Sequence, residues 1–226
     1  MTANSRLKLI ETAQHMAACG LNKGTAGNLS VREQWQEEAG FWITPTGMDY
    51  AELRESDIPF VEMQQTENSP FPRKTGASPR RASSEWRLHR DIYLAHPDAG
   101  AILHAHSPFA TSLACIGQEI PSFHYMIARF GGNTVRCAPY ALFGTQALSD
   151  VAVNALESRS ACLLANHGMV VFASSLKKVL DAAIELEALC EQYWRARQLG
   201  APRLLSEAEM ADVHALFANY GKQDGE

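Results

Sequence analysis

The sequence predicts one α/β domain whose sheet is largely antiparallel or mixed and is covered by helices. Three observations point to that class. Apolar residues alternate with period two in some stretches and recur every three or four residues in others, so strands and helices are both present. The two kinds of segment do not alternate strictly, and their connections look too short for the crossovers of a fully parallel sheet. The 226 residues show no internal repeat and no obvious boundary, so 1–226 is read as a single domain.

Taken in order, Leu7, Ile10, Ala13, Met16 and Ala17 recur at helical spacing over residues 5–19, and Gly20 ends the run. A glycine-rich turn, LNKGTAG, leads into the alternating stretch NLSVRE, and GFWITPTG is a second strand that stops at Pro45. Residues 64–82 contain Pro70, Pro72 and Pro79 with few large aliphatics, and read as a long loop ending at ASSEW. A helix follows from Glu85 to Ala95. AGAILHAHS is then a strand, PFATSLACIG a short helix and NTVRCAPY another strand. TQALSDVAVNALES is helical, and ACLLANHGMVVFA supplies one or two strands broken at Asn166–Gly168. The longest helix, SLKKVLDAAIELEALCEQYWRARQLG, has Ser174 or Ser175 as its cap. Residues 206–226 form a final helix and tail that open with a Ser-x-x-Glu capping box.

Composition excludes some roles. An apolar fraction of 46% and a charged fraction of 20% are those of an ordinary globular protein. The formal charge of −5 provides no basic field to recruit nucleic acid or a membrane surface, so neither is an expected partner. The absence of a signal-length or membrane-spanning apolar run leads to an expected cytoplasmic location. The five cysteines (Cys19, Cys115, Cys137, Cys162, Cys190) form no Cys-x-x-Cys pair, and all read as small buried side chains in a reducing compartment.

The chemistry starts at ILHAHSP. Alternation along a strand puts His104 and His106 on one face, with Ala105 pointing the other way. Two such imidazoles, roughly 6–7 Å apart along the strand, can converge on one ion; alternatively, each is satisfied by a backbone carbonyl. His167 offers a third ligand, because it ends an apolar strand beside Gly168, where the chain must turn. His15, His89 and His214 lie on helices and His96 precedes Pro97, so they suit the role less, while His124 beside Tyr125 stays open. Three histidines would leave one tetrahedral position free, the arrangement of a catalytic rather than a structural zinc.

GTAGNLS, TPTG and ASSEW share small residues with hydroxyl or amide donors on tight turns, which suit either an anion or simply a turn. A helix starting near Ser84 would add its positive dipole end. Ser83 and Ser84 lead directly to Glu85, which is either an ordinary first-turn carboxylate or an acid/base group between phosphate and metal. Lys177 and Lys178 read as a solvated helix face. The basic residues Arg73, Lys74, Arg80 and Arg81 serve either solubility or electrostatic steering of a phosphorylated substrate.

With AGNLSV, ITPTG, SSEW, HAH, HYM, GGN, CAPYALFGT and NHG in this order, the chain closely resembles the class II aldolase/adducin family from about residue 7 to the C-terminal FANYG. The resemblance implies a three-layer α/β/α domain with a central, mainly antiparallel sheet, and a C4 homotetramer with active sites between subunits. It implies zinc, or another divalent metal, on His104, His106 and His167, with Glu85 as the catalytic carboxylate that also ligates zinc when substrate is absent. Phosphate would be held by Thr25, Gly27, Asn28, Thr46, Gly47, Ser83 and Ser84. Position 26 is alanine where a small hydroxyl residue is common, so one donor is missing. Tyr125 would reach a neighbouring subunit's site as proton donor, Phe143 would shape an aldehyde pocket, and Tyr220 would be a second interface tyrosine.

The implied activity is retro-aldol cleavage of a ketose 1-phosphate of the L-fuculose 1-phosphate type, giving dihydroxyacetone phosphate and an aldehyde such as L-lactaldehyde. Alternatives within the family are aldolases for 5-deoxy- or methylthio-ribulose 1-phosphate, methylthioribulose-1-phosphate dehydratase and a sugar-phosphate 4-epimerase. The epimerase typically has aspartate at the position of Glu85. Non-catalytic adducin-like members lose the metal ligands, whereas this chain has three histidines and the glutamate.

Overall fold

The computed structural model describes residues 5–65 and 78–217. Helix α1 (Ser5–Ala18) precedes strands β1 (Asn28–Trp35), β2 (Glu38–Ile43) and β3 (Phe60–Glu62). Helix α2 (Trp86–Ala95), strand β4 (Ala101–Ala105) and helix α3 (Pro108–Cys115) follow. After them come strand β5 (Cys137–Ala138), helix α4 (Gln146–Ala155), strands β6 (Ala161–Leu164) and β7 (Gly168–Ala173), and helices α5 (Leu176–Leu199) and α6 (Glu207–Phe217).

The strands form one sheet in the order β3-β2-β1-β4-β7-β6-β5. Every neighbouring pair is antiparallel except β5 with β6. Alternation along the central strands divides their side chains between two layers of helices. Leu103, Met169 and Val171 pack with Leu9 and Met16 of α1, Leu113 of α3 and Leu186 of α5. Ile102, Val170 and Phe172 pack on the opposite face with Trp86 and Ile92 of α2 and Leu148 of α4. The expected three-layer α/β/α arrangement with a mainly antiparallel sheet is what forms. All five residues of β4 are buried, so an otherwise apolar strand carries His104 near its C-terminal end.

Local chemistry sets the element ends. Ser175 caps α5 by accepting from the Lys178 N–H. At α6, Ser206 and Glu209 exchange the two reciprocal bonds of the expected capping box. Of the strand expected over NTVRCAPY only Cys137–Ala138 joins the sheet: Val135 pairs instead with Ile120 in an isolated bridge, and Pro139 brings no N–H to the ladder. Strand β3 and two one-turn 3₁₀ helices at Tyr50–Glu52 and Glu55–Asp57 are too short for sequence periodicity to register. The cysteines are not all buried, contrary to what their apolar sequence neighbourhoods imply. Cys162 and Cys190 are buried, but Cys19 and Cys115 are exposed and Cys137 is half-buried. Cys19 and Cys115 lie at the C-terminal ends of α1 and α3, where neighbouring apolar residues in sequence do not enclose them in space. Of the expected 64–82 loop, residues 66–77 lie outside the described residues, as do Arg73, Lys74 and Tyr220. No helix among the described residues is long and apolar enough to cross a membrane.

Candidate active site

Strand β4 and the turn into β7 bring the three predicted histidines together. His104 ends the β4–β1 ladder opposite Asn28, and His106 lies just beyond β4 with its N–H held by Asn22 Oδ1 at 2.9 Å. His167 sits on the turn from β6 to β7, where Asn166 takes a left-handed φ of 56°. Gly168 permits the close approach of β7 to β4, since a Cβ there would stand 2.3 Å from the Ala105 carbonyl oxygen. The ring centroids are 4.8 Å (His104–His106), 4.7 Å (His104–His167) and 4.9 Å (His106–His167) apart. One nitrogen from each falls within 4.8 Å of the others.

Glu85 closes this group from the N-terminal end of α2. Its Oε2 lies 3.2 Å from His104 Nε2, and its Oε1 lies 3.4 Å from His167 Nε2. Oε1 is buried without a hydrogen-bond partner. His104 donates its Nδ1–H to the Met169 carbonyl at 2.9 Å, which leaves Nε2 facing His106 Nε2 at 2.9 Å. Lone pairs from three imidazoles and an unpartnered carboxylate oxygen then point at one spot. Such a set is repulsive unless a cation lies among the donors, and a carbonyl on the far side of a histidine is the usual orienting partner of a metal ligand. The residues present fit a divalent ion.

The electrostatics agree. Burial alone would raise the Glu85 carboxyl, but the charges and hydrogen bonds of His104, His167 and Asn28 outweigh it and hold the group well below the usual carboxylate range. Burial pulls His104 down, yet the adjacent Glu85 carboxylate more than reverses this and its pKa is raised. Burial, reinforced by His104, pushes His106 and His167 down to about 4. At neutral pH, His106 and His167 are therefore unprotonated and ready ligands, and His104 is the ligand most prone to take up a proton that competes with metal as the pH falls. Zinc affinity should consequently fall as pH drops from 8 to 6, because protonation of His104, the one ligand whose pKa is raised, competes with metal. Chelator-competition titrations at the two pH values measure that fall.

Above the histidines opens a cleft of about 340 Å³. Thr25, Gly27, Asn28, Thr46, Gly47, Ser83, Ser84, Glu85, His106 and His167 line it, while His104 lies fully buried beneath. The three small-residue turns come from distant parts of the chain and are stitched together by main-chain bonds. Thr46 N–H donates to the Arg81 carbonyl and Ser83 N–H to the Thr44 carbonyl, while Thr44 N–H reaches the Leu29 carbonyl. Gly27 has a φ of +75°, and a Cβ there would strike the Asn22 amide at 2.3 Å. Tyr50 donates its hydroxyl to the Gly27 carbonyl at 2.9 Å. Helix α2 begins at Trp86, with Glu85 at its N-cap position, not at Ser84.

Phe143 lines the cleft as expected, and so does Tyr140, which sequence reasoning did not single out. Both are more than 60% exposed, at 62% and 63% respectively. The cleft's own chain does not bring Tyr125 to it. That residue is half-exposed, stacked on His124 and near Phe217. Arg80 is tied to Asp57 at 2.8 Å and does not line the cleft. Among the described residues no lysine lines the cleft either, and Lys177 pairs with Asp181 on the outer face of α5. Asn22 and Tyr50, which hold His106 and Gly27 by their backbones, were also missed. Neither belongs to a motif, and only the folded chain places them.

A family model described as the class II aldolase and adducin N-terminal domain matches residues 7–194. The chain belongs to this family. A 5-methylthioribulose-1-phosphate/5-deoxyribulose-1-phosphate aldolase of Rhodospirillum rubrum is 47% identical over 213 residues, covering 94% of this chain and 90% of the relative. An L-fuculose phosphate aldolase of Escherichia coli K12 is 41% identical over 216 residues, covering 95% and 94%. A solved L-fuculose 1-phosphate aldolase superposes with a TM-score of 0.87 at 35% identity, covering 96% of this chain and 98% of that one. The class II aldolase likeness thus runs through sequence and fold over nearly the whole chain, which is that of a class II aldolase and hence a lyase.

Proposed function

We propose that this chain cleaves 5-deoxyribulose 1-phosphate or 5-methylthioribulose 1-phosphate between C3 and C4, giving dihydroxyacetone phosphate and acetaldehyde or its methylthio derivative. The observation that carries the reaction class is the convergence of Glu85 and three imidazoles on the floor of a cleft walled by three donor-rich turns. The Rhodospirillum relative, at 47% identity, supports the choice of sugar. L-Fuculose 1-phosphate is the second reading, supported by the Escherichia coli relative and the superposable aldolase structure.

His104, His106 and His167 would hold a divalent ion, which we take to be zinc, with Glu85 as a fourth donor when substrate is absent. When bound there, the ion supplies Lewis-acid polarisation of the substrate carbonyl and electrostatic stabilisation of the negative charge left at C3. The remaining work falls to the chain. Thr25, Gly27, Asn28, Thr46, Gly47, Ser83 and Ser84 grip the phosphate, and that remote binding fixes C3 over Glu85. In the condensation direction the Glu85 carboxylate accepts a proton from C3 of dihydroxyacetone phosphate, and in cleavage it returns one as the C3–C4 electron pair stays on C3. Tyr125 handles the proton at the C4 oxygen from a second copy in a C4 tetramer, a reading supported by its exposure and by its not lining the cleft of its own chain. Phe143 and Tyr140 border the end where the aldehyde leaves. A single bond is broken, and no electrons leave the substrate.

The test is the rate of dihydroxyacetone phosphate release from the two 5-deoxypentulose phosphates and from L-fuculose 1-phosphate. The proposal expects kcat/KM at least about tenfold higher for a 5-deoxypentulose phosphate, the order that one pocket contact can supply. The reverse preference would establish the second reading, and no release from any of the three would refute both.

A further inference from the structure

A polar seam runs under the cleft between α2 and β1. Glu85, His89 and Tyr93 recur every four residues and so share one face of α2. Asn28 and Ser30 recur every two residues and so share one face of β1. All five side chains are buried, His89 and Ser30 completely. They interdigitate as one chain of hydrogen bonds. Asn28 Nδ2 lies 2.9 Å from Glu85 Oε2, and His89 Nε2 lies 2.5 Å from Asn28 Oδ1. Ser30 Oγ lies 2.7 Å from His89 Nδ1 and 2.8 Å from the Tyr93 hydroxyl.

The donors and acceptors admit one direction along this chain. Glu85 Oε2 is an acceptor, so Asn28 must turn its NH₂ toward it and its carbonyl oxygen toward His89. His89 Nε2 must then carry the proton, which makes Nδ1 the acceptor for the Ser30 hydroxyl hydrogen. Ser30 Oγ then accepts from Tyr93. The opposite direction would aim the Asn28 carbonyl at the carboxylate and leave a buried charge facing a lone pair. Burial foremost keeps His89 neutral, its pKa being pushed down to about 3.

Resting on the aldolase reading above, we infer that His89 is a positioning residue: its Nε2–H fixes the Asn28 amide, and Asn28 in turn aims Glu85 Oε2 at the reacting carbon. Asn28 keeps a second amide hydrogen for the phosphate or a substrate oxygen. A histidine is needed at position 89 because it supplies a donor and an acceptor on opposite sides of a rigid ring. Leucine or phenylalanine would fill the same space in the helix packing and fix neither neighbour.

Two near-isosteric variants separate positioning from packing. In His89→Gln the amide nitrogen reaches the place of Nε2 and still donates to Asn28, whereas in His89→Asn the shorter amide reaches only the place of Nδ1. With the proposed ketose 1-phosphates, H89N is expected to lose kcat by about 10- to 100-fold with KM changed less than about threefold, while H89Q stays within about fivefold of the unmodified chain. Zinc content should be unchanged in both. Independently of activity, ¹⁵N NMR of the metal-free protein at neutral pH should show His89 as the neutral Nε2–H tautomer. Equal kcat in H89N and H89Q, an equal loss in both, or an Nδ1–H tautomer would each overturn the positioning role. Absence of dihydroxyacetone phosphate release from the unmodified zinc-loaded chain would overturn the aldolase reading and this one together.

Discussion

Glu85→Gln is expected to lower kcat by roughly 10²- to 10⁴-fold, the range that one positioned acid/base group contributes. KM should change little, because the phosphate grip lies on other residues. The substitution removes a proton acceptor and preserves shape: Gln can still take the Asn28 amide at its carbonyl oxygen and still faces His104. The three imidazoles remain, so zinc content by elemental analysis should stay close to that of the unmodified protein. A variant with full turnover and full zinc content would show that the C3 proton travels by another group. A variant that had lost its zinc would instead make Glu85 a ligand first and a base second.

His104→Ala has the larger effect on the metal. Among the three histidines this one is wholly buried, lies within a strand and is oriented by the Met169 carbonyl. Apportioning the binding energy of a four-ligand zinc site among its ligands gives about 3–4 kcal/mol for each, so zinc affinity should fall by roughly 10³-fold and turnover with it. The melting temperature of the metal-free protein should fall as well, because the change leaves a cavity in β4 and strands the Met169 carbonyl, together costing about 2–4 kcal/mol. Equilibrium dialysis and a thermal melt read the two effects separately. Unchanged zinc affinity would remove His104 from the ligand set.

Much of this site was legible in the sequence because its geometry follows from local periods. The period of two in ILHAHSP was enough to place His104 and His106 on one side of β4, and Gly168 marked the turn that presents His167. Ser83, Ser84 and Glu85 were legible as a helix entrance beside a donor-rich turn, though the helix begins at Trp86. The tertiary stitching was not legible. Nothing in LNKGTAG announces that Asn22 will hold the backbone of His106, or that Tyr50 will clamp Gly27, because both bonds cross long stretches of chain. His89 is the instructive miss. Placed on a helix, it was set aside as a ligand, yet its four-residue spacing from Glu85 already put it on the same helical face, one turn below the carboxylate. The short β3 and the truncated β5 escaped because their pairing partners, not their own composition, define them.

On the proposal above, His104, His106, His167 and Glu85 form a metal-dependent site for carbon–carbon cleavage. The measurement that tests it most directly is dihydroxyacetone phosphate release from 5-deoxyribulose 1-phosphate by zinc-loaded protein, by chelator-stripped protein and by stripped protein given zinc again. Release is expected in the first, loss of at least about 10³-fold in the second and recovery in the third. Equal release by loaded and stripped protein would contradict it, since no lysine among the described residues stands in the cleft to take over the carbonyl.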